Sequence, residues 1–265
     1  MGNNATILKT GTTKDKWGKF KVLNGSKKLV PFLPATLRMT KQALWELIDK
    51  YGTVMLKPCV GHSGYGVIQV CKKKNDQLEI HAKYKKVTLD GKKQTFNALK
   101  KGIRNYKYFV QHRLKKGIRS YKYIVQRRIP LAEITNRPFD LRVMVQRKKH
   151  SEWKVTGMLA KVANEGYVIT NVTNTILPAK KAIQQSSIKI SSWQELLPKI
   201  HKISLQAAQR LGDFYPFQRT IGFDIGLDHK AKIWIIEANF APSTRDFLLL
   251  KDKSIYRRIM SYKKG

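Results

Sequence analysis

Acid is scarce in this sequence beside its bases. Its 265 residues carry 17 Asp and Glu against 53 Lys and Arg, a formal charge of +36 at pH 7. Such a field attracts polyanions (nucleic acid, nucleotides, acidic polymers, anionic lipid) and says nothing about fold. Cysteine is scarce too. Cys59 and Cys71 are too few for a disulfide scaffold, and their separation supports neither a zinc site nor a redox pair. No stretch approaches the roughly 20 apolar residues of a membrane span. The opening segment, Met1 to Asp15, is polar and lacks the apolar core of a secretory signal, so a cytoplasmic protein with reduced thiols is expected. Apolar residues are not lacking. At 42% hydrophobic the chain can fill a core, which excludes a disordered polymer. Its length suits one domain or two intimate lobes.

Leu99–Arg113 (LKKGIRNYKYFVQHR) is followed at once by Leu114–Arg128 (LKKGIRSYKYIVQRR). The copies differ only at Asn105/Ser120, Phe109/Ile124 and His112/Arg127. One unit repeated once is a local duplication, not a solenoid. Both copies contain a strand-like core, Tyr106–Gln111 and Tyr121–Gln126, and neither contains an acid. The first copy reads as an insertion.

Helix signals are few. Thr40 can cap a helix over Lys41–Lys50. Ser192 and Glu195 have capping-box spacing and open a helix expected to stop at Gly212. Asp252 can cap a basic C-terminal helix over Lys253–Tyr262. Strand signals are more numerous: Thr53–Lys57, Gly66–Cys71, Tyr121–Arg127, Leu141–Arg147, Val155–Val162, Thr220–Gly226 and Lys232–Asn239. Mixed strands with few helices predict an α+β or α/β fold.

Three stretches carry chemistry. In Thr220–Ser243 a hairpin turning near Asp228–Lys232 puts Asp224 opposite Glu237, with Asn239 on the same strand face as Glu237. Two carboxylates and an amide oxygen converging in this way predict a hard cation, Mg²⁺ or Mn²⁺; the competing reading is a solvated hairpin edge. In Val54–Val70 a strand delivers Lys57, and Gly61, Ser63, Gly64 and Gly66 follow in a loop whose backbone N–H groups can approach a phosphate. That loop is neither a P-loop nor a Rossmann turn, and an ordinary hairpin is the alternative. In Phe139–Val145 and Ala160–Gly166, Arg142 and Lys161 could reach a developing phosphoryl or carboxylate charge; a surface salt bridge between Asp140 and Arg142 is the alternative.

In order, these stretches resemble the ATP-grasp superfamily, above all the YheC/YheD-type proteins associated with bacterial endospore coats, and more distantly the ribosomal-protein-modifying glutamate ligases. The resemblance runs from about Asp15 to Leu250 and is strongest in Glu237-Ala238-Asn239, which looks like the family's Glu-x-Asn metal strand, with Asp224 at the first metal carboxylate. It implies an α+β ATP-grasp fold of two lobes enclosing a nucleotide cleft, about 15–127 and 128–250, followed by a basic helix over 251–265. About 14 residues precede Lys16, so the pre-ATP-grasp domain is expected to be largely missing. The resemblance makes Lys16 and Lys57 nucleotide lysines and the glycine loop a phosphate lid. Tyr123-Ile124-Val125-Gln126 becomes the hinge strand whose backbone meets adenine, with Val125 and Gln126 as contacts, and Glu133 the ribose partner. Arg142 and Lys161 would face the transferred phosphate. Where the family often has Gly-Gly after a segment like Ile169-Thr170-Asn171, Thr175-Ile176 stands. The implied cofactors are ATP and Mg²⁺, and the implied reaction joins a carboxylate to an amine or thiol. Three alternatives remain: a nucleotide-binding spore protein without turnover, a cationic structural protein on an acidic polymer or spore-coat partner, and a nucleic-acid binder through charge alone.

Overall fold

The computed structural model describes residues 13–61, 64–83, 85–114, 122–165 and 175–263, with backbone alone for 106–114. In chain order its elements are α1 (Lys16–Asn24), β1 (Thr36–Arg38), α2 (Lys41–Tyr51), β2 (Thr53–Pro58), β3 (Ile68–Lys72), β4 (Gln77–Ala82), β5 (Lys85–Asp90), α3 (Gly91–Leu114) and β6 (Tyr123–Arg127). There follow β7 (Glu133–Ile134), β8 (Arg137–Gln146), β9 (Lys154–Val162), β10 (Thr175–Pro178), α4 (Ala179–Gln185), α5 (Trp193–Phe214), β11 (Thr220–Leu227), β12 (Ile233–Asn239) and α6 (Ser254–Lys263). The chain divides into two compact units. The larger comprises Met1–Leu33, Ile129–Glu165 and Thr173–Gly265, and the smaller Pro34–Arg128 and Gly166–Val172. Residues 15–33, expected in the N-terminal lobe, belong to the larger unit, because α1 packs on α5 and β12.

The smaller unit is an antiparallel sheet in the order β1-β6-β2-β3-β4-β5 with α2 and α3 packed against it. Alternation sorts its faces. Val54, Leu56, Tyr123 and Val125 enter a core with Leu44, Leu47 and Ile48 of α2, while Lys57 and Gln126 lie on the opposite face. Helix α2 starts where Thr40 accepts a hydrogen bond from Ala43 N and ends at Gly52, whose φ of 72° suits glycine.

The first repeat copy corrects an expectation. Tyr106–Gln111, read as a strand, lies within helix α3, and only Tyr123–Arg127 of the second copy forms the strand β6. Nor is the first copy a mere insertion, since Leu99 is buried and Ile103 packs against the same core. The fold takes the Leu-x-x-x-Ile half of the unit from the first copy and the Tyr-Ile-Val-Gln half from the second.

The larger unit is built on the antiparallel path β10-β9-β8-β11-β12, with β7 paired to β8. Phe139, Leu141, Val143 and Val145 of β8 face a core with Ile200, Ile203, Ala207 and Leu211 of α5. Met144, from the other face of β8, packs with Leu159, Phe247 and Ile259 beneath α6. Gly212 does not stop α5. A Cβ there would lie 2.9 Å from Trp153 Nε1, so glycine lets the helix pass the indole and run on to Phe214.

Candidate functional site

Register brings the larger unit's polar residues together. Asp140 lies opposite Lys161, Arg142 opposite Asp224, and Asp224 opposite Glu237. Directly opposed residues share a face, so one sheet surface carries a row of charged groups in which Asp224 stands between the cation Arg142 and a second acid, Glu237. Gly222 keeps the row open, because a Cβ there would stand 2.5 Å from Pro242. A bulge after Asp224 leaves Ile236 as the extra residue of β12 and holds Glu237 in register with Asp224.

The row is tightly bonded. Asp224 Oδ1 accepts from Arg142 Nε at 2.8 Å and from Lys161 Nζ at 3.2 Å, and Lys161 Nζ also lies 3.2 Å from Asp140. Asn239 Nδ2 donates to Asp224 Oδ2 at 3.3 Å. Asp140, Arg142, Lys161 and Asp224 are buried, so a surface ion pair does not describe Asp140 and Arg142; Glu237 and Asn239, on the edge strand, are half-buried. Burial alone would raise the Asp224 pKa, but the cations of Arg142 and Lys161 hold it far below the usual carboxylate range. Burial likewise opposes charge on Arg142 and Lys161, and their acidic partners outweigh it, so both pKa values are raised. Arg142 and Lys161, expected to face a transferred phosphate, are engaged with these acids.

Lys16 extends the row from α1, which Asp15 caps by accepting from Gly18 N at 2.8 Å. Its Nζ is 3.0 Å from Glu237 Oε1. Lys19, one turn further, is buried with its ammonium 5.0 Å from the centre of the Phe240 ring. Burial lowers its pKa to about 8 despite the attraction of Glu237. The sequence reading missed Lys19. Its signal was the i, i+3 spacing from Lys16, which is legible only once Lys16 is known to open a helix.

A metal can be tested against this donor set. Among the described residues no three His, Cys, Asp or Glu side chains form a cluster able to hold one. A closed all-protein cage is therefore absent from that part of the chain. Asp224, Glu237 and Asn239 nonetheless offer only oxygen donors on one face, and a half-turn of the Asn239 amide brings its oxygen toward Asp224. This set fits a hard dication that completes its shell with water and phosphate oxygens.

In the smaller unit Lys57 is buried, and its Nζ donates to Gln126 Oε1 at 2.6 Å. Gln126 Nε2 donates to Thr36 Oγ1 at 3.0 Å, and Thr36 Oγ1 to Pro34 O at 2.8 Å. This chain of hydrogen bonds fixes the lysine across three strands. The loop after it turns through Gly64 and Gly66, with φ of 69° and 75°, and Tyr123 Oη holds Gly66 O at 3.2 Å. Ser63 lies outside the described residues, as does Ile169–Asn171. Gly61 has φ 143° at the loop's start.

The expected hinge residues lie within a strand. Val125 and Gln126 sit in β6 with a strand on each side, pairing with Leu37 and Thr36 of β1 and with Leu56 and Met55 of β2. Their backbone groups are engaged in the two ladders. Arg128 N, just after the strand, donates to Thr53 O at 3.1 Å. Glu133, the expected ribose partner, starts β7, and its backbone N donates to Ser187 Oγ at 3.0 Å.

Comparison with known proteins bears on the fold and family. The chain is 25% identical over 237 residues to the endospore coat-associated protein YheD of Bacillus subtilis (strain 168), covering 88% of this chain and 49% of that protein. It is 22% identical over 246 residues to YheC of the same organism, covering 88% of this chain and 61% of YheC. It thus spans about half to three-fifths of the length of these relatives. Among solved structures, the biotin carboxylase domain of Hydrogenobacter thermophilus 2-oxoglutarate carboxylase, in complex with MgADP, ADP and bicarbonate, superposes with a TM-score of 0.56 at 11% identity. That likeness covers 96% of this chain and 46% of the other, and it shows the fold. The family model for YheC/D-like ATP-grasp proteins matches residues 4–264, and with the two-unit α+β architecture and the Asp224–Glu237–Asn239 row in place, this chain belongs to the YheC/D-like ATP-grasp family.

Proposed function

We propose that this chain binds ATP with Mg²⁺ and uses it to activate a carboxylate for ligation to an amine or thiol. The observation that carries the reading is the row Lys161–Asp224–Glu237–Asn239, with Lys16 poised on Glu237. Asp224, Glu237 and Asn239 would hold the cation, which when bound neutralises phosphate charge. Lys16, whose Nζ is 3.0 Å from Glu237 Oε1, would turn to a phosphate oxygen when the cation takes its place. In the smaller unit Lys57, set by Gln126 and Thr36, offers a fixed ammonium of its own to a phosphate, beside the turn at Gly64 and Gly66. Arg142 and Lys161 keep Asp224 ionised and aimed.

In the proposed reaction an oxygen of the substrate carboxylate attacks the γ-phosphorus. The bond to the bridging oxygen breaks and ADP departs. The amine or thiol then attacks the acyl carbon of the acylphosphate, phosphate leaves with the bonding pair, and the nucleophile's proton passes to solvent. Positioning and charge neutralisation supply most of the rate. The relatives' endospore-coat association supports a spore-associated setting for this chain as well.

Thermal unfolding with and without ATP and Mg²⁺ tests the reading. Ligand that binds only the native state raises the melting temperature. Glu237→Gln should keep the unliganded melting temperature and lose the Mg²⁺-dependent part of the shift. An unchanged shift in that variant removes Glu237 from the cation site. No shift in the wild type favours a cationic structural protein instead. Release of ADP across pooled carboxylates and amines then identifies the substrates.

A further inference from the structure

Helices α2 and α3 leave between them a cavity of about 300 Å³ in the smaller unit. Met39, Phe96, Leu99 and Ile103 line its interior. Lys41, Lys100 and Arg104, all three exposed, add the charged part of the lining, and no acid takes part. Lys100 leans over the Phe96 ring, its Nζ 5.3 Å from the ring centre, so its stem extends the apolar wall while its charge stays at the mouth. Thr40 and Lys41, which open α2, also line the cavity, and the N-terminal end of a helix favours a negative group there.

An apolar interior with a mouth of one charge sign is complementary to one kind of molecule. We propose that this cavity binds an anionic amphiphile, a short alkyl chain bearing a single carboxylate or phosphate head group. The chain would occupy the space between Phe96, Leu99 and Ile103, and the head group would meet Lys41, Lys100 and Arg104. The volume is at the low end for a small-molecule pocket and too small for the face of a partner helix. The charge complementarity has a local origin, because α3 contains no acid along its whole length. The site does not depend on the nucleotide reading. The helices cover the sheet face that carries Leu56 and Val125, whereas Lys57 and Gln126 lie on the other face.

Calorimetric titration with octyl phosphate and with octanoate, both below their micelle concentrations, tests this directly. One molecule should bind per chain. Because a chain of charge +36 attracts any anion, two double variants that remove equal charge are compared. Lys100→Ala/Arg104→Ala should weaken binding about tenfold or more. Lys72→Ala/Lys74→Ala, both exposed, at the end of β3 and just after it, should leave it unchanged. Ile103→Trp, which fills the cavity, should abolish it while the ATP-induced shift of melting temperature persists. Binding of either anion in this pattern supports the site, and the tighter of the two names its head group. Equal weakening in both double variants, or inorganic phosphate binding as tightly as octyl phosphate, would reduce the effect to general attraction and overturn the proposal. So would 1-octanol binding as tightly as octyl phosphate.

Discussion

One fifteen-residue string is helix the first time the chain passes through it and, in its last third, strand the second time. The ionic row of the larger unit allows no such freedom. Leu99–Arg113 lies wholly in α3, yet Tyr123–Arg127 fills the centre of a sheet, although the matching stretch of the first copy differs only at Phe109 and His112. What decides is context. The first copy continues a helix already begun at Gly91, and the second arrives where β1 and β2 leave a slot with ladders on both sides. In the larger unit Asp140 meets Lys161 and Arg142 meets Asp224 across the sheet, and a slip of one residue would strand a buried charge. Apolar pattern alone specifies loosely, whereas buried charge pairing specifies register.

The sharpest way to break this contrast is a proline in each copy. Val125→Pro removes ladder hydrogen bonds in a strand paired on both sides and should prevent the smaller unit from folding. Val110→Pro, at the equivalent position near the end of α3, should cost at most about 3 kcal/mol. Circular dichroism on heating separates the two, and equal losses would show that the helical and strand copies are equally built in. Next comes the charge row. Asp224→Asn leaves two buried cations sharing Asp140 and should cost about 3–5 kcal/mol in urea unfolding; a loss below about 1 kcal/mol would mean the row does not anchor the sheet.

The third test joins a point substitution with a deletion. Leu99→Ala opens a cavity beside α2 and should cost about 2–5 kcal/mol. Deleting all of Leu99–Arg113 should cost less than about 1 kcal/mol, because Leu114 and Ile118 then arrive at the places of Leu99 and Ile103. A deletion more damaging than the point change would refute the interchangeability of the copies. The smallest effect is a pH dependence in the row's neighbour. Unfolded Lys19 keeps its proton up to the ordinary lysine value of 10.5, whereas the folded protein releases it near 8. Between these values the unfolded state holds more proton, so stability should rise with pH across that window, by up to about 3 kcal/mol. In Lys19→Met this rise should vanish, and the variant should be the more stable at pH 7. A wild-type curve that is flat from pH 8 to 10.5 would contradict the burial assigned to the ammonium.

Parts of this were legible in the sequence for definite reasons. Asp224 and Glu237 straddle a polar turn, so their pairing follows from hairpin arithmetic, and Thr40, Ser192 and Asp252 each mark a helix start. Other parts were hidden. Helix α1 buries Gly18, Lys19, Val22 and Leu23, a set with no clear apolar stripe, so only its Asp15 cap announced it. Strand β5 is almost wholly exposed, with Lys85, Lys86 and Thr88 in place of an alternating pattern. The ion partners of Arg142 and Lys161 depend on which strands lie side by side, which no local spacing encodes. The duplicated string carries equal helix and strand signals, so its two fates could not be separated within it.

The two fates also occur in time. As the chain leaves the ribosome, Tyr106–Gln111 emerges fifteen residues before Tyr121–Gln126, a lead of about 1–3 s at ordinary synthesis rates. During that interval β1 and β2 are already made, and the earlier copy is the only candidate for the slot between them. If the earlier copy enters that slot, the later one has to displace it by strand exchange and the earlier one to refold as helix. The order of synthesis then opposes the final assignment of strands.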